Sequence, residues 1–190
     1  EVDPKLHAAC LMLGDLLCKT GEYDKGMLAY KSALKISPQL PMAHRKIGKI
    51  YLQKGNLTLA IEALKTALRL DPTVSDSHLQ LGNLYAASSQ HEEAIREYRE
   101  AVRIDPDSDS AFVKMGDAYF LLENFHEALI EYKKAASIKP ANALAHYGIG
   151  KVFLKMDRRQ EAAVEFNTAL EIDPKLNEAG FAINTEDIKI

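Results

Sequence analysis

The sequence contains no tryptophan, and aromatic residues make up only 7% of its 190 positions. Hydrophobic residues nevertheless reach 47%, so the chain can form a continuous core from small and medium-sized side chains. This composition suits thin stacked layers better than one large globular centre. No apolar run approaches the ~18 residues of a membrane span, and no signal peptide precedes the first helical segment. We therefore expect no membrane insertion.

An excess of basic residues is also missing. Lys and Arg number 24 against 27 Asp and Glu, which leaves a formal charge of -3, and nucleic-acid binding usually needs a strongly basic face. The chain has two cysteines, Cys10 and Cys18, eight positions apart on one predicted helix. A rise of ~1.5 Å per residue separates them by about 12 Å, too far for a disulfide within the helix. A reducing, cytoplasmic setting is therefore expected.

Motifs that carry catalysis or hold a cofactor are missing too. The sequence has no HExxH, no GxGxxG after a strand, no Walker sequence and no serine-centred elbow. His44, His78 and His146 recur at one interval and suggest a metal site. Equivalent atoms on packed neighbouring helices lie about 10 Å apart, whereas zinc needs its ligands within ~2.3 Å of one centre. We therefore favour a packing role for the histidines, and expect no catalysis, cofactor or metal.

Small residues and prolines recur every 34 positions along the chain. The four rows are Gly14, Gly48, Gly82, Gly116 and Gly150; Pro38, Pro72, Pro106, Pro140 and Pro174; Ala33, Ala67, Ala101, Ala135 and Ala169; and Gly26, Ala60, Ala94, Ala128 and Ala162. Such regularity predicts a tandem repeat array. A large side chain recurs as well, at Tyr30, Leu64, Tyr98, Tyr132 and Phe166. We expect the small residues where two helices cross closely, and the large ones between successive units.

Three motifs show which repeat this is: Leu81-Gly82 followed by Tyr85, the run from Ala94 to Ala101, and the closing Ile104-Asp105-Pro106. They resemble the tetratricopeptide repeat family, whose unit is a 34-residue helix–turn–helix. The resemblance implies an all-α fold, a right-handed superhelical solenoid of antiparallel helix pairs. It places five repeats at 7–40, 41–74, 75–108, 109–142 and 143–176.

Both ends of the chain depart from the repeat. Residues 1–6, with Val2, Asp3 and Pro4, match the tail of a preceding repeat. Segment 177–190 loses the pattern, since Asn184 stands where the next glycine belongs. It is a partial capping helix, a divergent repeat or a flexible tail.

The period also predicts helix bounds. Each repeat has a helix A and a helix B, predicted at 7–19 and 23–36, 41–54 and 57–70, 75–88 and 91–104, 109–122 and 125–138, and 143–156 and 159–172. Gly21 ends the first helix with a residue free to adopt positive φ. Pro41 suits a first helical position, and Ser75 or Asp109 is expected to cap its helix.

In the family that the chain resembles, helix A of every repeat lines a concave groove. Successive A helices then give an apolar row with Leu79 and Val113, a polar row with Lys49 and Asp117, and a third row with Phe120. The third row has an alternative role in packing between neighbouring A helices. The predicted binding residues are Arg45, Lys49, Leu79, Asn83, Val113, Lys114, Asp117, Phe120, Tyr147 and Lys151.

Such a groove suits a peptide or helix of a partner protein, so the sequence indicates a non-catalytic scaffold or adaptor for complex assembly. One alternative is a docking module for the acidic C-terminus of a chaperone, for which the best frame is Arg45 and Lys49, then Gln80, then Ser110 and Lys114. Another is the substrate-presenting region of a larger enzyme. Self-association through the array ends is also expected, because Leu13, Leu16 and Leu17 lack the neighbour that later repeats have.

Overall fold

A computed structural model describes residues 5–177 of the chain. These residues form ten α-helices and one short 3-10 helix, with no β-strand among them. The elements are α1 (Lys5–Lys19), α2 (Tyr23–Ile36), α3 (Pro41–Gln53), α4 (Leu57–Leu70), α5 (Ser75–Ala87), α6 (His91–Ile104), α7 (Asp109–Leu121), α8 (Phe125–Ile138), α9 (Ala143–Lys155), α10 (Arg159–Ile172) and the 3-10 helix Pro174–Asn177. The fold is an all-α helical solenoid, which confirms the predicted fold class.

The helices group into two compact units, Glu1–Ser88 and Ser89–Ile190. In the first unit each helix from α1 to α5 packs on the next, and in the second unit each helix from α6 to α10 does so. The odd-numbered helices are the A helices of the repeats, and the even-numbered helices are the B helices. Three residues join α1 to α2, and so short a connection makes the pair antiparallel.

The B helices have the predicted bounds, and the A helices differ slightly. Helix α1 begins at Lys5 rather than His7, and the later A helices end one residue before the predicted position. The residue after each of them is a C-cap whose ψ has turned close to zero, as at Lys54 with φ -87° and ψ 4°. The predicted tail at Val2, Asp3 and Pro4 and the alternatives for 178–190 lie outside the described residues.

Every A helix ends in a left-handed turn at the same repeat position. Gly21 has φ 82° and Gly55 has φ 73°, and Ser89, Glu123 and Asp157 adopt φ 58°, 59° and 57°. In the fourth repeat the Asn124 N–H donates to the Tyr119 carbonyl at 2.9 Å, and the Glu123 N–H donates to the Phe120 carbonyl at 3.0 Å. This is the Schellman arrangement, which satisfies the last carbonyls of a helix. Gly21 thus acts as predicted, and three side chains occupy a conformation that favours glycine.

The helix starts correct one prediction. Neither Ser75 nor Asp109 caps its helix, because each is the first helical residue and the N-caps are Val74 and Ser108, which form no side-chain cap bond. The side-chain caps are asparagines, with Asn56 accepting from the Leu59 N–H and Asn142 from the Ala145 N–H. Pro41 occupies the start of α3, as predicted.

Glycines on the A helices lie under rings of the B helices. A Cβ added at Gly116 would lie 2.8 Å from the ring of Tyr132, and one at Gly150 would lie 2.7 Å from the ring of Phe166. Tyr132 also contacts the next repeat, since a Cβ at Gly148 would lie 2.4 Å from its ring. The small-residue rows are buried, including Ala33 and Ala135. Small residues therefore allow the close crossing, and Tyr132 fills the space between repeats, as predicted.

We predict that Glu123→Gly raises the free energy of unfolding by about 0.5–1 kcal/mol. Glycine removes the steric cost of positive φ, and this gain exceeds the loss that comes from the greater conformational entropy of glycine in the unfolded chain. Urea unfolding followed by circular dichroism measures the change. Gly21→Ala, which places a Cβ at the same turn position of the first repeat, should lower the free energy by a similar amount. Equal signs for the two substitutions would contradict this explanation.

Candidate functional site

The predicted binding residues divide between the two units. Arg45 and Lys49 lie on α3, Leu79 and Asn83 lie on α5, and both helices belong to the first unit. The remaining residues lie on α7 and α9 in the second unit: Val113, Lys114, Asp117, Phe120, Tyr147 and Lys151.

In the second unit the A helices bring two aromatic rings to one lysine. The Lys151 ammonium lies 4.6 Å from the centroid of the Phe120 ring and 5.3 Å from that of Tyr147. Tyr147 also packs on Phe166, with their centroids 5.6 Å apart, and Phe120 meets Phe125 edge to face at 5.5 Å. Burial lowers the pKa of Lys151, against the opposing effect of the Asp117 carboxylate. The predicted residues Phe120, Tyr147 and Lys151 thus form one aromatic–cation cluster.

Asp117 belongs to the same face. The Tyr132 hydroxyl donates to Asp117 Oδ1 at 2.8 Å, and the Lys114 ammonium lies 3.8 Å from Asp117 Oδ2. Part of the charge on this face is therefore already compensated within the protein.

Val113, one of the predicted binding residues, is buried. Only 4% of its surface is exposed, although it lines a shallow cavity of about 300 Å³ between α7 and the start of α9. Leu144 is a large apolar side chain exposed at this cavity, with 45% of its surface accessible. Sequence reasoning missed Leu144, because its repeat position was not among the three rows assigned to the groove, although it lies three residues before Tyr147 and so on the same helix face.

In the first unit α1, α3 and α5 bound an open cleft. Two cavities of about 490 and 460 Å³ share Asp15, Lys46 and Lys49 in their lining, and Arg45 lines the second. Leu79 is half-buried and Asn83 is exposed. The cleft therefore includes Arg45 and Lys49 of the predicted set, and its lining from α5 is Asp76 and Gln80.

Asp15 holds the centre of this cleft. Its Oδ1 accepts from the Tyr30 hydroxyl at 2.6 Å and lies 2.8 Å from the Lys46 ammonium. Burial by itself would raise the pKa of Asp15, but the hydrogen bonds from Lys46 and Tyr30 outweigh it and lower the pKa below 3.8. The carboxylate therefore stays ionised at neutral pH.

The two Asp–Tyr hydrogen bonds link two repeat rows, the polar row of the A helices and the aromatic row of the B helices. Neither row shows this link when it is considered by itself. Asp15 bonds Tyr30 and Asp117 bonds Tyr132, in each case fifteen residues further on. Where the A helix has Lys49 or Lys151, the residue fifteen positions later is Leu64 or Phe166, which has no hydroxyl. A comparison of the two rows at this offset would have found the coupling in the sequence.

The histidine row ties loops to helices. His78 Nε2 lies 3.2 Å from the Pro72 carbonyl, and His146 Nε2 lies 3.0 Å from the Pro140 carbonyl. His44 bonds the Pro38 backbone in the same way, and its pKa is lowered chiefly by burial. His146 Nδ1 also lies 2.7 Å from Glu165. Within residues 5–177 no three potential ligands gather as a metal site.

The acidic-terminus alternative has partial geometric support. Arg45, Lys49 and Gln80 line one cavity, but the Gln80 amide is bonded to Asp76 at 2.6 Å. Ser110 and Lys114, the other members of the frame, lie in the second unit. In the part of the chain that is described, no helix is long and apolar enough to cross a membrane.

Comparisons with known proteins agree with the repeat pattern. Family models described as TPR repeat match residues 14–55, 48–89, 82–123 and 116–157, and a model described as tetratricopeptide repeat matches residues 143–176. A search of curated proteins finds no match.

Solved structures of similar fold include MamA, 30% identical over 87% of this chain and 96% of that chain, with a TM-score of 0.80. YrrB, described as a TPR protein with an unusual peptide-binding site, is 22% identical over 91% of this chain and 89% of its own, with a TM-score of 0.79. TTC0263, described as a thermophilic TPR protein in Thermus thermophilus, is 25% identical over 90% and 94%, with a TM-score of 0.64.

We predict that the stabilising effect of Asp15 depends on pH. Because its pKa is lower in the folded state, its contribution should be fully present above about pH 5 and lost as the pH falls through the folded-state pKa. Urea unfolding of the protein and of Asp15→Asn from pH 7 to pH 3 measures the difference. Tyr30→Phe removes one of the two hydrogen-bond donors to Asp15. Its loss of stability relative to the unsubstituted protein should therefore also shrink as the pH falls, but should be smaller than that of Asp15→Asn. A difference that is constant with pH would contradict the prediction.

Proposed function

The chain belongs to the tetratricopeptide repeat family, and from that premise we propose that it is a non-catalytic adaptor that binds a peptide or helix of a partner protein on the faces of its A helices. The fold and the family indicate a protein-interaction module. YrrB, a structural neighbour, is itself described as having a peptide-binding site. The finer proposal rests on the side chains that the A helices present.

The aromatic–cation cluster of Phe120, Tyr147 and Lys151 is the observation that carries this proposal. Phe120 and Tyr147 are both half-buried, so each ring has a supported side and an accessible side. A ring held in this way loses little conformational entropy when a ligand covers it, which is why tyrosine is frequent among the residues that dominate binding. Lys114 and Asp117 flank the cluster and can orient a polar ligand group.

The second candidate is an acidic-peptide docking module. It is favoured by Arg45 and Lys49, which line the same cavity in the first unit. We further propose a role in complex assembly in the cytoplasm, since Cys10 and Cys18 are both unpaired thiols and such thiols persist in reducing compartments.

Tyr147→Ala should weaken partner binding by about 1–3 kcal/mol, because it removes a half-buried aromatic ring that a ligand can cover. Isothermal titration with a captured partner peptide measures the loss. Circular dichroism must show the fold intact, since the ring also packs on Phe166.

Arg96→Ala serves as the matched control, because Arg96 is exposed on helix α6, one of the B helices. It should leave binding unchanged. If Arg96→Ala abolishes binding while Tyr147→Ala does not, the partner binds the B helices and the proposal is wrong.

Raised salt should slow association more than it speeds release, because exposed charges mainly steer the encounter.

Helix α1 supports a separate proposal, self-association. Leu13 and Leu16 are 51% and 60% exposed, whereas their counterparts one repeat later, Ile47 and Ile50, are 7% and 2% exposed. The same positions are buried in every later repeat: Leu81, Met115, Ile149, Leu84, Ala118 and Val152. We propose that a second copy covers this face of α1. Residues 178–190, which follow the last repeat, lie outside the described residues.

Light scattering should therefore show a mass that rises with protein concentration. The double substitution Leu13→Ser and Leu16→Ser should keep the protein monomeric, because it removes the apolar area that drives association. Leu28→Ser is the control, since Leu28 is 65% exposed but lies on helix α2. A monomer at all concentrations, or an equal effect of the control, would rule the proposal out.

A further inference from the structure

The five methionines of the chain differ widely in exposure. Met27 and Met115 are buried in the core, and Met156 is half-buried. Met42 on α3 is 46% exposed, whereas Met12 on α1 is 73% exposed, the highest value among the exposed large hydrophobic side chains between residues 5 and 177. An oxidant in solution therefore meets the Met12 sulfur before the others.

Met12 belongs to the exposed apolar face of α1. At about 100° per residue, Met12, Leu16, Leu13 and Leu6 lie within an arc of about 120° around the helix axis. The other residue of this arc between Leu6 and Leu16 is Ala9, so no charged side chain interrupts it. Met12 and Leu16 are i, i+4 neighbours, so a surface that covers Leu16 reaches Met12 as well.

The repeat position of Met12 is polar in three of the four later repeats. Its counterparts are Lys46, Gln80, Lys114 and Gly148. The position of Gly148 lies under the ring of Tyr132, and the other three are accessible polar side chains. The fold thus does not require an apolar residue here, and the methionine of the first repeat widens the apolar face of α1.

Oxidation changes the polarity of this side chain while its carbon skeleton stays the same. The thioether sulfur gives an electron pair to one oxygen of a hydroperoxide, so that an S–O bond forms as the O–O bond breaks. The second oxygen leaves and takes up the proton, as water when the oxidant is hydrogen peroxide. Sulfur loses two electrons and the peroxide gains two. The product is methionine sulfoxide, a polar side chain that disrupts interfaces built on methionine.

We propose that Met12 is an oxidation site through which a hydroperoxide controls self-association of the chain. The inference rests on the proposed contact between a second copy and α1, and it specifies how that contact is regulated. In the associated state apolar side chains enclose the sulfoxide oxygen, and a polar group without a hydrogen-bond donor opposes such burial. The oxidised chain therefore remains monomeric at concentrations at which the reduced chain associates.

The same contact protects Met12 from the oxidant. Because the associated state covers the sulfur, oxidation proceeds through the free monomer, and its rate follows the monomer fraction. Met42 lies on α3, outside this face. Its rate of oxidation therefore serves as an internal reference.

The first experiment measures self-association by light scattering before and after treatment with hydrogen peroxide. Dithiothreitol then reverses disulfide formation at Cys10 and Cys18, and peptide mapping by mass spectrometry measures the sulfoxide at each methionine. The dissociation constant should rise at least tenfold as Met12 is converted, and methionine sulfoxide reductases should restore it. Circular dichroism should show an unchanged helix content.

Three variants separate Met12 from the other sulfur atoms. Met12→Leu keeps an apolar side chain without a thioether, so it should self-associate normally and not respond to peroxide. Met12→Gln places a polar amide close to the position of the sulfoxide, and should raise the dissociation constant at least tenfold without peroxide. Met42→Leu is the matched control and should respond to peroxide as the unsubstituted protein does.

The second experiment compares oxidation rates at protein concentrations tenfold above and tenfold below the dissociation constant, with peroxide in excess. The rate at Met12 should be at least threefold lower at the higher concentration, because most of the chain is then associated. The rate at Met42 should not change.

A dissociation constant that stays unchanged when Met12 is fully oxidised would overturn the inference and leave self-association standing. An equal response of Met12→Leu to peroxide, or an equal concentration dependence at Met12 and Met42, would also overturn it. A protein that is monomeric at every concentration would reject self-association together with the inference. None of these results bears on peptide binding, which Tyr147→Ala tests.

Discussion

In the first, fourth and fifth repeats, the close approach of the A and B helices depends on a glycine that faces an aromatic ring. In the first repeat a Cβ at Gly14 would lie 2.4 Å from the ring of Tyr30, a distance that no packed structure tolerates. In the second unit the ring of Tyr132 touches the positions of Gly116 and Gly148, so one side chain sets the spacing of two helices at once. A methyl group at such a site costs about 1–3 kcal/mol through overpacking. The separation of the A helices, and so the spacing of the groups that they present, follows from this contact.

Most of the fold could be predicted, because a fixed period specifies which positions meet. The five aligned rows predicted the helix pairs and the bounds of the B helices, and the glycine at position 21 predicted the left-handed turn that ends α1. The helix starts were harder to predict, because a single position separates the N-cap from the first turn. In α5 the N-cap is Val74 and the first helical residue is Ser75. Residue type alone does not decide it, because Val74 serves as an N-cap without a side-chain bond.

The candidate site was only partly predictable, because a row states which residues are equivalent and not how deeply each is buried. One residue turns a helix by about 100°, so neighbouring rows differ greatly in burial: Val113 is 4% exposed and Leu144 is 45% exposed. The surroundings of a lysine depend on the repeat before it as well as on its own. Lys151 rests on Phe120 of the preceding repeat, whereas Lys49 follows a repeat that has Cys18 there. Reading each A helix together with its predecessor would have distinguished the two lysines.

The Asp–Tyr hydrogen bonds tie the charge of the A-helix face to the interior of the first and fourth repeats. A change of Asp117 to lysine would deprive the Tyr132 hydroxyl of its acceptor, and an unsatisfied buried group costs about 1–3 kcal/mol. Tyr132 would have to change as well, so single substitutions are disfavoured as a route to a new pattern of charge. Duplication of a whole repeat copies both members of the pair together and keeps them matched. An array of this kind can therefore diversify its ligands by gaining, losing or exchanging repeats more readily than by gradual drift within one.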